Sequence, residues 1–314
     1  MNITSCILEN NENWDEIIIN SVQNSIFVTS KYLNYYKNNF KVIKYIFKDS
    51  ETKKILACVP LVTGEKEPLF FIYNGIIFSN SLSGIKKIST KNSVQIILTN
   101  KIIKFLIDKH KKINFTFHPN FEDLRPFQWY NYKENSKSFF NIKLNYTAIL
   151  DIKKTEEELL NNFRTVRKQE YKKYYNLVSN EGAVDDLIDL YKMTFERQKI
   201  ILDKCFLDEL KNFCQYALDN EFAKMSFLKE NSTFISSTFF LYDKDTAYYL
   251  VGASNPNFRK KIPSTALLVD NIFQFKKKGI KKIDFIGINS PKRGDFKMSF
   301  SPVIKSYYSV NSNC

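Results

Sequence analysis

Six arginines, Arg125, Arg164, Arg167, Arg197, Arg259 and Arg293, stand in a chain that otherwise carries its positive charge on lysine. Arginine presents a planar fork of donors that fits phosphate or carboxylate on two prongs, so each marks a place where that geometry could be used. Arg164 and Arg167 lie one helical turn apart and Tyr171 follows four residues after Arg167. On a helix the three share a face and form a phosphate-binding edge; a solvated basic helix packed on acidic neighbours is the bland alternative. Arg259 and Lys260, with Lys261, precede Ser264 and Thr265, whose hydroxyls suit a helix cap. Asp284 is a candidate base for an amine, or equally an inward carboxylate paired with a lysine. Tyr248, Tyr249 and Ser254 sit in a strand pattern where tyrosines ordinarily pack across strands. The two histidines, His110 and His118, are too few to favour a Ser-His hydrolase. Cys6, Cys58, Cys205, Cys214 and Cys314 are scattered with no histidine beside them, which speaks against a His/Cys zinc site.

The elements that must position these residues are readable from periodicity. A short helix follows Ser30, and two apolar runs around the polar turn 50–54 predict a β-hairpin. Residues 86–110 carry Val94, Ile97, Leu98, Ile102, Ile103 and Leu106 at helical spacing, leading to a strand that ends at Pro119. A strand from Tyr146 to Ile152 precedes Thr155 and Glu158, a capping box that opens one long helix through residue 177. Helices over 184–197 and 206–218, three strands, a helix ended by Gly279, a strand and a final extended stretch complete the order. Both halves repeat helix, antiparallel strands, helix, strand. The expected class is α/β (α+β), two mixed, mostly antiparallel sheets flanked by helices. Its expected division is 1–147 and 148–314, with the last strand able to pack back on the first domain.

With 314 residues and 44% apolar content, the chain is large enough for two domains and apolar enough to fold. Its net charge of +14 predicts attraction to phosphate-rich or acidic partners. The N-terminus lacks the basic and apolar regions of a signal peptide, and the longest apolar run, 68–78, is too short to span a bilayer. A cytoplasmic location is the expectation. A basic nucleic-acid-binding protein without chemistry is the alternative, although the cations are spread along the chain and match no reader motif.

In order and spacing, several segments resemble the FemAB/FemX peptidoglycan aminoacyltransferases and the BioF2-like (CelD-type) acyltransferases, which are tandem GNAT folds. They are Trp14 to Ile18, Phe27 to Leu33, Tyr73 to Gly75, Pro126 to Tyr132, Tyr146 to Ile152 and Asn162 to Lys173. Later come Tyr248 to Ser254, Pro263 to Gly279, Ile283 to Gly287 and Gly294 to Phe300. The resemblance implies transfer of an acyl or aminoacyl group from acyl-CoA or aminoacyl-tRNA, with no permanently bound cofactor. The acceptor would be a primary amine of a cell-envelope precursor, an amino sugar or a peptidoglycan stem peptide.

Residue by residue, the resemblance gives Lys297 the role of stabilising the oxyanion of the transition state, beside Phe296, and gives Arg164, Arg167 and Tyr171 the acceptor's phosphates. Tyr248 and Ser254 are implied cleft residues, with Trp129 near the domain junction. Arg259, Lys260, Ser264 and Thr265 would face the donor. Single-domain GNAT enzymes place a pyrophosphate on a glycine-bearing helix start; here Ile262 and Pro263 replace the glycine and its neighbour, and Pro263 removes an N–H. This departs from the usual coenzyme A site and is shared with FemX-like members, whose donor is aminoacyl-tRNA. The implied partners are a phosphate-bearing donor and an amine acceptor bound between domains, such as a nucleotide sugar or a lipid-linked precursor. tRNA and an anionic membrane surface are further candidates.

Overall fold

The structure, a computed structural model, describes residues 3–7, 12–82, 84–133, 139–179, 181–261 and 263–312. The chain forms two compact units, one of residues 1–145 with 306–314 and the other of residues 146–305.

The first unit begins with β1 (Ile3–Ile7), α1 (Glu12–Ile19) and α2 (Ser30–Asn34), then β2 (Lys41–Asp49) and β3 (Ile55–Thr63). β4 (Ile77–Phe78), α3 (Ile88–His110), β5 (Asn114–Thr116) and α4 (Arg125–Gln128) follow. β2 and β3 are the expected hairpin, in register Tyr45 to Val59, and Asp49 closes its turn by accepting from the Thr52 N–H at 2.8 Å. Side chains alternate across a strand, so Ile43, Tyr45 and Phe47 enter one core while Ile46 enters another. The first core takes Leu98, Ile102, Ile103 and Leu106 from α3, the second Trp14, Ile18 and Leu33 from the opening helices. Covering both faces explains why β2 and β3 read as nearly continuous apolar runs.

β6 (Phe140–Asp151) leads into the second unit, which continues with α5 (Glu156–Asn162), α6 (Thr165–Tyr174), β7 (Val178–Ser179), α7 (Val184–Glu196) and α8 (Lys204–Asp219). Next come β8 (Ala223–Glu230), β9 (Thr233–Tyr242), β10 (Thr246–Ser254), α9 (Pro263–Lys277), β11 (Lys282–Asp284) and α10 (Pro291–Met298). Strand order in this sheet is β6-β11-β10-β9-β8-β7, antiparallel except for the β10–β11 pair. α9 lies on it with Leu268, Val269, Ile272 and Phe275 in the core beside Phe240, Ile283 and Phe285. The last strand, β12 (Val303–Ser312), joins β5 in the first unit through Ser309 to Thr116 and Val310 to Phe115.

One expectation is corrected. The helix opened by Thr155 does form its capping box, with Glu158 accepting from the Thr155 N–H at 2.7 Å, but it ends at Asn162. Phe163 and Arg164 are extended, with ψ of 153° and 137°, before α6 begins. The break follows from tertiary contacts: Phe163 is buried 5.3 Å from the Phe300 ring, and the Arg164 N–H donates to the Ser299 carbonyl at 2.9 Å. A continuous helix would give up both. Thr155→Ala removes the box and is expected to lower the melting temperature by about 2 °C, read by calorimetry; an unchanged value would show that α5 is held by packing alone.

Candidate functional site

The pairing of β10 with β11 stops early. It runs only from Thr246 with Lys282 to Tyr248 with Asp284, whereas β9 follows β10 to Ser254. A bulge between Tyr249 and Val251 bends β10 at the point of divergence. Beyond Tyr248 the β11-facing edge of β10 has no strand neighbour among the described residues, since β11 ends at Asp284, and this end of the pairing is termed the wedge. Gly252 is required inside it, because the Tyr249 hydroxyl occupies the position a Cβ would take. Tyr249 is buried, stacks on Phe240 at 5.0 Å, and burial raises its phenol above the ordinary range.

Lys297 stands at this wedge. Its ammonium donates to the carbonyls of Phe285, Ile286 and Gly287 at 2.6, 3.0 and 3.0 Å, and lies 5.6 Å from the Tyr249 ring centroid. Three donors on three acceptors use all the hydrogen-bonding capacity of an ammonium. Burial pushes its pKa down to about 8, opposed by the Asp284 carboxylate. The loop it grips is strained: Ile286 has φ 41° and Gly287 φ 69°, and a β-branched residue rarely takes that region. The other side of the loop is tied to β6, with Phe285 N–H donating to Ala148 O and Ile288 N–H to Tyr146 O, both at 3.0 Å. Asp284 is buried and accepts from the Thr147 hydroxyl at 2.5 Å and the Ile286 N–H at 2.8 Å. It thus braces the same loop from beneath.

The two arginines of the α6 region take different partners, although both reach α10. Arg164 caps α6 from non-helical dihedrals and makes an exposed bidentate pair with Asp295 of α10, at 2.7 and 3.0 Å. That pair holds the Asp295 carboxyl below its usual range. Arg167 turns inward: Nη1 donates to Glu170 Oε2 at 2.5 Å and Thr265 Oγ1 at 2.9 Å, and Thr265 Oγ1 donates to Glu170 at 2.6 Å. The guanidinium also covers the Phe296 ring at 5.1 Å. Arg167 and Thr265, assigned separately to acceptor and donor, are thus brought into one buried cluster with Phe296. Glu170 was missed, although its place three residues after Arg167 is the helical ion-pair spacing that could have found it.

The remaining candidates are placed as follows. Tyr171 packs edge-on against Phe273 at 5.6 Å, and burial raises its pKa. Tyr248 is buried with its hydroxyl donating to Asp243 at 2.7 Å, a bond that ties β10 to its preceding turn. The Ser254 N–H donates at 2.9 Å to the Thr194 hydroxyl, whose own proton is shared between the carbonyls of Leu190 at 2.8 Å and Ser254 at 3.1 Å. Ser264 Oγ lies 3.1 Å from Ser236 Oγ. Arg259 and Lys260 lie in a short 3-10 turn, Pro256–Lys261, with side chains outside the described set, as is Ile262 altogether. Trp129, in the first unit, is half exposed under the Arg125 guanidinium at 5.3 Å. A cleft of about 760 Å³ in that unit, lined by Lys91, Asn92, Gln95, Glu122 and Asp123, contains none of the residues singled out above except Arg125, which Asp123 already holds at 2.6 Å. His118 is structural, its Nδ1 accepting from the Asn120 N–H at 3.0 Å.

Residues 154–298 match a sequence model described as the acetyltransferase (GNAT) domain. No curated protein matches the chain at a significant level. Among solved structures it is similar to FemX, at 13% identity and TM-score 0.68, over 98% of this chain and 97% of that one. It is also similar to a tandem GNAT protein from the clavulanic acid biosynthesis pathway, at 8% identity and TM-score 0.56, over 98% of each chain. A third likeness is to the C-terminal domain of a putative lysylphosphatidylglycerol synthetase from Agrobacterium fabrum, at 10% identity and TM-score 0.50, over 97% of this chain and 92% of that one.

Proposed function

On the tandem GNAT fold that this chain shares with FemX, and with an acetyltransferase-family domain in its second unit, we propose an N-acyltransferase that moves an acyl or aminoacyl group from a thioester or ester donor to a primary amine of a cell-envelope precursor. The observation that carries the reading is the wedge between β10 and β11 with the Lys297 ammonium fixed beside it. The donor carbonyl enters where strand pairing ends, so that β10 main-chain groups orient it. The amine nitrogen attacks the carbonyl carbon, the new C–N bond forms, and the bond to sulfur or oxygen breaks. The proton shed by the amine leaves with that sulfur or oxygen. Because every Lys297 N–H is engaged by a carbonyl, its contribution is positive charge held near the developing oxyanion in a site of low dielectric. Positioning of the reactants supplies much of the remainder.

Of the two arginines in the α6 region Arg164 is the exposed one, and in this reading an acceptor phosphate competes with Asp295 for its fork. Arg164→Ala is expected to raise KM for a phosphorylated acceptor about tenfold, the loss of one charge-assisted contact, with kcat and melting temperature unchanged. An unchanged KM removes Arg164 from the binding site.

The reading is tested by offering purified protein acyl-CoA thioesters and labelled aminoacyl-tRNA with amino-sugar nucleotides and stem peptides, and following amide formation by mass spectrometry. Amide product from either donor supports it. No product from any combination, together with saturable salt-sensitive RNA binding, overturns it in favour of a nucleic-acid-binding protein.

A further inference from the structure

The turn between α7 and α8 carries its apolar side chains outward. Ile201 is 92% exposed, and among the described residues no large apolar side chain is more so; Ile200 beside it is 45% exposed. Single apolar residues scattered over a surface are ordinary, but two in succession at the tip of a turn stand where Gly, Asn, Asp or Ser would serve solvent better. Arg197, Lys199 and Lys204 surround them, all exposed, and among the described residues none of the three is in an ion pair. Asp203, the one carboxylate in this stretch, is turned toward α8 and accepts from the Phe206 N–H at 3.3 Å. Three cations against one carboxylate leave residues 197–204 at 3 − 1 = +2.

The tip is held in this form by its own backbone. α7 ends in a Schellman motif, the Ile200 N–H donating to the Phe195 carbonyl at 3.1 Å and the Lys199 N–H to the Glu196 carbonyl at 2.8 Å. Its left-handed position, φ 61°, is one that glycine ordinarily fills, yet Lys199 stands there. The base beneath is aromatic, with the Tyr191 ring 4.7 Å from Phe195 and 6.4 Å from Phe206. Two isoleucines are thus presented by an ordered turn. In the last turn of α7, Thr194 is bonded to Ser254 at the far end of β10, so the tip stands at the end of the unit where the β11-facing edge of β10 is open.

We propose that this turn docks the protein on an anionic lipid bilayer: Ile200 and Ile201 enter the boundary between headgroups and acyl chains, while Arg197, Lys199 and Lys204 meet the lipid phosphates. A nucleic acid would use the cations and leave the isoleucines bare, whereas a bilayer uses both within one short turn. The long stems of lysine and arginine let the charges stay at headgroup level as the apolar tip goes deeper. Lysine in place of glycine at the left-handed position adds one such charge at a cost in backbone strain. Two apolar side chains and three cations give a weak, reversible attachment, and it brings the open end of β10 to the bilayer. The inference goes beyond the acyltransfer reading and does not need it.

The test sediments the full-length protein with vesicles of phosphatidylcholine, alone or with about 30% phosphatidylglycerol. Wild type is expected to partition into the anionic vesicles at least about tenfold more strongly than into the neutral ones. Ile200→Ser with Ile201→Ser should lower partition into the anionic vesicles about tenfold, and Arg197→Gln with Lys199→Gln by a similar factor. Lys53→Gln with Lys54→Gln removes the same charge from the exposed turn of the β2–β3 hairpin and should stay within about twofold of wild type. All the substituted side chains are exposed, so melting temperatures should not move. Should the Lys199 variant not fold, Arg197→Gln with Lys204→Gln makes the same comparison. No partition of wild type into anionic vesicles overturns the proposal, as does equal partition of wild type and the isoleucine variant. A loss in the Lys53 and Lys54 variant equal to that in the Arg197 and Lys199 variant also overturns it, by assigning the binding to the charge of the whole chain. Vesicle binding requires no turnover, so failure of the acyltransfer reading would appear separately, as absence of amide product from every donor.

Discussion

Lys297→Met is expected to lower kcat at least about 100-fold while leaving KM for the acceptor within about threefold, the signature of a group whose charge matters in the transition state more than in the ground state. Methionine fills much of the same volume, so the loss is one of charge and of the grip on three carbonyls. The pH dependence separates chemistry from scaffolding. With a folded pKa of about 8, Lys297 loses its proton as pH rises from about 7 to 9, and the wild-type rate should fall over that window. Stability should move the other way. Between about pH 8 and the ordinary lysine value of 10.5 the unfolded chain retains a proton that the folded chain has released, so this group's contribution makes the folded state more stable as pH rises. Lys44, buried in the first unit and also pushed down to about 8, adds a slope of the same sign. The informative quantity is therefore the difference in slope between wild type and Lys297→Met, measured by urea unfolding at several pH values. A wild-type rate that stays flat from pH 7 to 10 would remove Lys297 from the chemistry and leave it a loop anchor.

Gly294→Ala should be nearly as damaging, for a reason that does not involve the chemistry. Gly294 lies in α10, where a Cβ would overlap the Ile288 carbonyl oxygen and lie 3.3 Å from its carbon. Neither side yields cheaply, because Ile288 is bonded to β6 through Tyr146 and α10 is bonded to the same loop through the three carbonyls that Lys297 holds. In an open helix, alanine in place of glycine would gain about 1 kcal/mol. Here overpacking against backbone, worth about 1 to 3 kcal/mol or more, reverses the sign. The strain is relieved by moving the helix, and Lys297, one turn further along, goes with it. Loss of stability in urea unfolding and a parallel loss of kcat are the expected results. A variant as stable as wild type with full turnover would show that α10 and the loop tolerate separation.

Much of the second unit's local structure is legible in the residues themselves. Thr155 with Glu158 marks a helix start, Gly279 a helix end, and the aromatic run of β10 a strand; two similar α/β units follow from their order, while the tandem GNAT class came from resemblance. Legibility fails where a distant contact decides. Nothing in the sequence between Asn162 and Thr165 breaks a helix; Ser299 and Phe300, more than 130 residues on, do. Consequently Arg164 and Arg167 read as one helical face but take different partners, Asp295 and Glu170. Lys297 shows the other limit. Resemblance singles it out, but its partners are main-chain carbonyls, which leave no trace in residue identity. Glu170 was legible by spacing and overlooked because a carboxylate among four cations in the seven residues 167–173 reads as background.

The last strand of the chain has a consequence for how the protein comes into being. β5 waits for Ser309, Val310 and Asn311 to supply its neighbour, a separation of about two hundred residues in sequence. On a ribosome, all of residues 146–305 have been made before that strand exists. Until residues 309–311 arrive, β5 lacks its sheet neighbour and presents an open edge. The sheet of the unit that starts first therefore closes only after nearly all of the second unit has been synthesised.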